Sequence, residues 1–133
     1  MKGRPRAFAT ITAIILMTVV AVAVLSLAAL TAAQAKRTRR EVSGGQLKQV
    51  LLAATANLSG RLSAGIVFKA NDEVVLSLPP QLADVKMTTR IESADGEKVV
   101  VMMQVRDDVM RLGQRVTFVR KEARWALSEV QGR

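Results

Sequence analysis

The chain has 133 residues, enough for one small domain and one additional segment. It contains no cysteine and no histidine, which excludes a disulfide framework and thiolate zinc sites and removes the commonest general base. The net charge of +9 would suit nucleic acid, but the excess is concentrated on the two sides of one hydrophobic segment. Because the remaining chain has no basic stripe interleaved with aromatics, we predict no nucleic-acid partner.

Residues 1–7 form a short basic leader, and an apolar run without charge, Pro or Gly follows over residues 8–33. As a helix this run spans about 39 Å, more than the roughly 30 Å hydrocarbon core of a bilayer. We therefore predict a single-pass protein of the cell membrane, with lipid as a partner. The membrane-flanking basic residues are Lys2, Arg4 and Arg6 before the run and Lys36, Arg37, Arg39 and Arg40 after it.

The flanking charges do not settle the orientation, because both sides are about equally basic. The N-terminal amine favours a cytoplasmic N-terminus, which places the rest of the chain outside the cytoplasm. Ala33-Gln34-Ala35 has the small-x-small pattern that a signal peptidase reads. The apolar run is far longer than the roughly 7–15 residues of a removable signal, so a permanent anchor is favoured.

Residues 34–64 form a basic juxtamembrane segment and an amphipathic helix. One apolar stripe at spacings of three and four consists of Leu47, Val50, Leu51, Ala54, Leu58 and Leu62. Gly44 and Gly45 either bend the path between membrane and domain or are absorbed into one long helix. Gly60 and Gly65 are the candidate stops.

Residues 65–133 predict an antiparallel β domain, because the apolar period changes from 3.6 to 2. We expect five or six strands: Ile66–Ala70 and Glu73–Leu78 as a hairpin around Asn71-Asp72, then Asp84–Glu92, Glu97–Arg106, Arg115–Lys121 and Arg124–Val130. The predicted fold class is α+β, with a long N-terminal transmembrane helix followed by a small antiparallel sheet that packs on its C-terminal half.

No residue combination predicts catalysis, a metal site or a cofactor. The adjacent acids Asp72-Glu73 and Asp107-Asp108 fall at predicted loops and lack the further oxygen ligands of a calcium site. Met102 and Met103 point to opposite faces of a strand and cannot chelate together. The chain is therefore predicted to be non-enzymatic, with no small-molecule substrate.

The leader carries one recognisable pattern: basic residues, then Ala7, then Phe8 opening a long apolar helix. It resembles the leader of type IV pilins and of type II secretion pseudopilins, as does the order of long helix and antiparallel sheet. The resemblance implies cleavage between Ala7 and Phe8, methylation of the new N-terminus, and assembly with other pilin-like or envelope proteins through the N-terminal helix. The family usually has Gly before the cut, and Glu at the position that Thr12 occupies here, which implies a divergent or minor subunit.

The sequence thus predicts a non-enzymatic structural or assembly subunit of an envelope filament or secretion system. Three alternatives stay open, and the least favoured is a membrane-tethered enzyme of unknown chemistry. The other two are non-enzymatic. One is a signal-anchored binding or scaffold module, in which the apolar helix is only a tether. The other is a small secreted β domain released by cleavage after Ala35.

Overall fold

A computed structural model describes residues 4–132, with side chains from residue 8 onward. The elements are helix α1 (Arg4–Ser63), a short 3₁₀ helix (Pro80–Leu82) and strands β1 (Lys86–Ala94), β2 (Lys98–Arg106), β3 (Arg111–Lys121) and β4 (Arg124–Gly132). The chain divides into two units between Arg39 and Arg40. The fold is α+β, as predicted, with one long apolar N-terminal helix and an antiparallel sheet.

Helix α1 ends in a glycine cap. Gly65 has a φ of 85°, which an L side chain rarely adopts. The amide of Ile66 donates to the carbonyl of Arg61 at 3.1 Å, and the amide of Gly65 donates to the carbonyl of Leu62 at 3.1 Å. These are the two hydrogen bonds of a Schellman motif, so of the two candidate stops Gly65 ends the helix, while Gly60 lies within it.

The four strands form a meander in the order β1-β2-β3-β4, each antiparallel to the next. Asp95 closes the β1–β2 turn by accepting the amides of Glu97 and Lys98 at 3.2 and 2.8 Å. The β3–β4 turn has two residues, Glu122 and Ala123, both with positive φ. That conformation matches the twist of a two-residue hairpin but is unfavourable for residues other than glycine and asparagine.

The core of the Arg40–Arg133 unit lies between the second part of α1 and one face of the sheet. The predicted helical stripe is buried, as are the predicted inward residues Val99, Val101, Met103 and Val105 of β2. Phe118 of β3 is fully buried among them, and Trp125 of β4 is half-buried at the edge of the cluster. Two layers therefore share one core, in agreement with the periodicities of the sequence.

The predicted hairpin between Ile66–Ala70 and Glu73–Leu78 is wrong. Asn71 does turn the chain, with a φ of 67°, but neither flanking segment is a strand. The sheet consequently has four strands in the described part of the chain, where the sequence predicted five or six. The four that form are the last four predicted, with ends that differ by up to four residues.

Residues 71–74 hydrogen bond to the edge of β1 instead of forming a hairpin with residues 66–70. The amide of Asn71 donates to the carbonyl of Ile91 at 2.8 Å, and that of Val74 donates to the carbonyl of Thr89 at 3.0 Å. Residues 66–70 lie beside the core through Phe68, while Val67 stays largely exposed. The backbone groups at the edge of β1 take the place of these residues as hydrogen-bonding partners of residues 71–74.

Gly44 and Gly45 are absorbed into α1, which is one of the two possibilities that the sequence left open. At Gly44, a Cβ atom would lie 3.4 Å from the Sδ atom of Met110. The absent side chain thus lets the β2–β3 turn approach the helix closely. Gly45 faces open space and has no such packing reason.

Candidate functional site: the apolar helix and the interaction surfaces of the domain

The first part of α1 is apolar on every side. Ile14, Ile15, Leu16 and Met17 are consecutive and all exposed, and successive residues of a helix point about 100° apart. A helix that is hydrophobic all round belongs in a membrane or in the centre of a helix bundle. By length and composition, this helix can cross a membrane.

Four hydroxyl side chains in this segment, those of Thr12, Thr18, Ser26 and Thr31, donate to the backbone of the helix itself. The hydroxyl of Thr12 donates to the carbonyl of Phe8 at 2.9 Å, and that of Ser26 donates to the carbonyl of Val22 at 2.8 Å. Thr18 donates in the same way to carbonyls three and four residues earlier. Hydrogen bonds of this kind let hydroxyl groups enter hydrocarbon without an unpaired donor.

The predicted processing site lies at the start of α1. Phe8 is the first residue of the helix whose side chain is described, and that side chain is exposed. Lys2 lies outside the described residues, and the side chains of Arg4, Arg6 and Ala7 lie outside the described side chains. Residues 33–35, the alternative cleavage site, are helical and exposed.

The basic residues after the apolar run also lie on α1. Lys36, Arg37, Arg39 and Arg40 are all exposed on the helix. The structure therefore places these four cations on one helical element, directly after the apolar residues.

The adjacent acids serve turns. Asp107 accepts the amides of Val109 and Met110 at 2.7 and 2.8 Å and also accepts the hydroxyl of Ser43 on α1. Asp72 accepts the amide of Lys69 at 3.0 Å in the turn at Asn71. Within residues 8–132, no three acidic side chains converge into a metal-binding group.

A groove of about 610 Å³ runs beside the helical layer of the domain. Its apolar walls come from α1, including Val50 and Ala53, and from Leu76, Leu78 and Leu82 of the irregular segment before β1. Glutamines, Asn57 and Arg61 form a polar rim. The volume is in the range that holds a ligand or an anchoring side chain.

The sheet has one open edge. Residues 71–74 hydrogen bond to the edge of β1, whereas β4 pairs only with β3 among the described residues. On the face of the sheet that carries the core, Leu127 and Val130 of β4 are each 48% exposed. Sequence alternation marked β4 as a strand but could not show that it would be the last in the sheet.

The outer face of the sheet is basic. The strand register places these cations on it: Lys86, Arg90, Lys98, Arg106, Arg111, Arg115, Lys121 and Arg124. The strand-borne acids of that face are Glu92, which pairs with Arg115 at 2.6 Å, and Glu129. No stripe of charge is visible along the sequence, because the cations of this face come from four strands and meet only in the sheet.

Comparisons of the chain with protein-family models, with curated protein sequences and with solved structures gave no match.

Proposed function

We propose that this chain is a membrane-inserted, pilin- or pseudopilin-like subunit of an envelope filament or secretion machine, with a non-enzymatic role. The observation that carries the proposal is the two-part character of α1. Its first part is apolar and exposed on all sides, and its second part is the helical layer of a small β domain. This is the arrangement that the resemblance of the leader implies.

The energetics require that the first part be covered. The exposed large apolar side chains there are Phe8, Ile11, Ile14, Ile15, Leu16, Met17, Val19, Val20, Val22, Val24, Leu25, Leu27 and Leu30. Burial of each such side chain is worth about 1.5–3 kcal/mol, so the total is of the order of tens of kcal/mol. A transfer free energy of this size strongly favours coverage of the segment by lipid or by other helices.

The proposed mechanism is physical. The apolar helix stores the subunit in the bilayer, with the β domain outside the cytoplasm. Extraction of the helix into a bundle of similar helices buries the same apolar surface again, so the transfer exchanges one apolar environment for another. The domain then supplies the outer contacts of the assembly.

The experiment is determination of the mature N-terminus by mass spectrometry, after co-expression with a prepilin peptidase. We expect an N-methylated Phe8. Ala7→Leu should block cleavage, because the family takes Gly or Ala before the cut. Ala9→Leu is the matched control, with the same substitution on the other side of Phe8, and should be cleaved normally.

Two results would contradict the proposal. An intact Met1 in the membrane fraction supports the anchored scaffold, and a soluble product that begins at Lys36 supports the secreted domain. A processed Phe8 should also be accompanied by contacts between apolar helices. Because the chain has no cysteine, a single Val20→Cys substitution can report them as disulfides in membranes.

The anchored binding module remains the second candidate, and the groove beside α1 favours it. Ala53 leaves room between the helix and Leu78, and the polar rim could orient a bound segment. Ala53→Trp would fill the groove, since Ala53 is exposed on its wall. If the chain acts only as a scaffold, this variant should abolish partner recruitment, while Ala7→Leu should leave it unchanged.

A further inference from the structure

The open edge of β4 lacks most of the devices that natural proteins use against strand addition. The strand contains no proline, and its side chains on the core-bearing face are the apolar Trp125, Leu127 and Val130. A bulge at Ser128 is its one interruption, because Thr117 pairs with Glu129 and Phe118 pairs with Leu127. The stretch from Arg124 to Leu127 therefore presents a regular row of backbone groups.

The side chains beside this edge are also incompletely covered. Leu127 lies opposite the fully buried Phe118, yet is itself about half exposed. On the other face, Arg124 lies directly opposite Lys121, and like charges in this position repel. A further strand would cover Leu127 with an apolar side chain and offset the repulsion with an acidic one.

We propose that β4 accepts an extended segment of another protein as a fifth strand, and that this segment alternates apolar with acidic residues. Backbone hydrogen bonds to the 124–127 stretch would supply affinity, as in other cases of β-strand addition. The apolar residues would continue the core face beside Leu127. The acidic residues would lie on the basic outer face beside Arg124, which sets the choice of partner.

A second copy would not supply this pattern of charge. The stretch from Arg124 to Leu127 contains no acidic residue, so a copy paired antiparallel through it would bring only Arg124 and Ala126 to the outer face of the first. A parallel pair would invert one sheet, and Leu127 of each copy would then lie beside the polar outer face of the other.

The test uses the full chain in detergent micelles and three synthetic eight-residue peptides. The first alternates Val with Glu, the second alternates Val with Lys, and the third is the acidic peptide with two Val replaced by Pro. Binding is measured by the emission of Trp125, the only tryptophan, and by hydrogen exchange of the β4 amides. We expect the acidic peptide to bind at least tenfold more tightly than either other peptide and to protect β4.

Leu127→Lys places a charge on the core-bearing face of the edge and should weaken the binding of the acidic peptide at least tenfold. Ala126→Lys is the matched control on the outer face of the same strand and should retain binding. Both positions are exposed, and circular dichroism checks that both variants fold.

Three results would overturn the proposal. The first is no protection of β4 by the acidic peptide at millimolar concentration. The second is equal binding of the Pro-containing peptide, which would show attraction to the basic face alone. The third is concentration-dependent dimerisation that Leu127→Lys abolishes, which would identify a second copy as the partner. Each result leaves the N-terminus of the mature protein, and hence the proposed function, independently measurable.

Discussion

Leu58 tests whether the second part of α1 is a layer of the domain core. Its side chain is 0% exposed, in the stripe that packs on the sheet. Leu58→Ala removes three carbons at about 0.8 kcal/mol each, a loss of roughly 2.4 kcal/mol of transfer free energy. Because both layers hold the surrounding residues in place, a cavity term adds about 1 kcal/mol, for a total of about 3–4 kcal/mol.

Leu52→Ala is the matched control, on the same helix with the same change. Leu52 is 67% exposed, so about a third of the transfer term applies, or roughly 0.8 kcal/mol. The assay is urea unfolding of the full chain in detergent micelles, followed by the emission of Trp125. Equal losses within about 0.5 kcal/mol would refute the assignment, because a helix surrounded by lipid has no preferred side.

Substitutions at four further positions test single interactions of the domain by the same unfolding assay. Thr89→Val should stabilise by about 1 kcal/mol, because the buried Thr89 hydroxyl has no hydrogen-bond partner, whereas Thr89→Ser should destabilise. Ala123→Gly should stabilise by about 1 kcal/mol by relieving a φ of 65°, and a loss of stability would argue against this turn conformation. Gly45→Ala should stabilise by about 1 kcal/mol through helix propensity, since the added methyl group would meet open space. No gain in stability would argue against a helix at residues 40–63. Ser43→Ala should cost about 1–2 kcal/mol through the lost hydrogen bond to Asp107, and an unchanged midpoint would contradict that contact.

The sequence predicts the elements that bury one clear face. The stripe that contains Leu47 and Leu58 and the alternation from Val99 to Val105 both determine which side chains enter the core. Such periodicity depends only on local geometry, so it can be read along the chain. The Schellman cap at Gly65 is equally local.

The features that sequence reasoning missed depend on pairing between distant residues. Asn71 correctly indicates a turn. The sequence does not show, however, that the residues after this turn pair with β1 rather than with residues 66–70. The open edge of β4 and its apolar neighbour Leu127 likewise follow from which strand comes last in the sheet.

The self-satisfied hydroxyls of the apolar helix have a consequence for how copies could align. Since Thr12, Thr18, Ser26 and Thr31 donate to their own backbone, their hydroxyl oxygens can only accept from a neighbouring helix, and the same four residues of a second copy have no free donor to offer them. Apolar surfaces alone permit axial sliding, because each small translation replaces one methyl contact with another. In any assembly of such helices, contacts of the Arg40–Arg133 domain would therefore set the axial offset between subunits. Another apolar helix of the same length could then replace the segment.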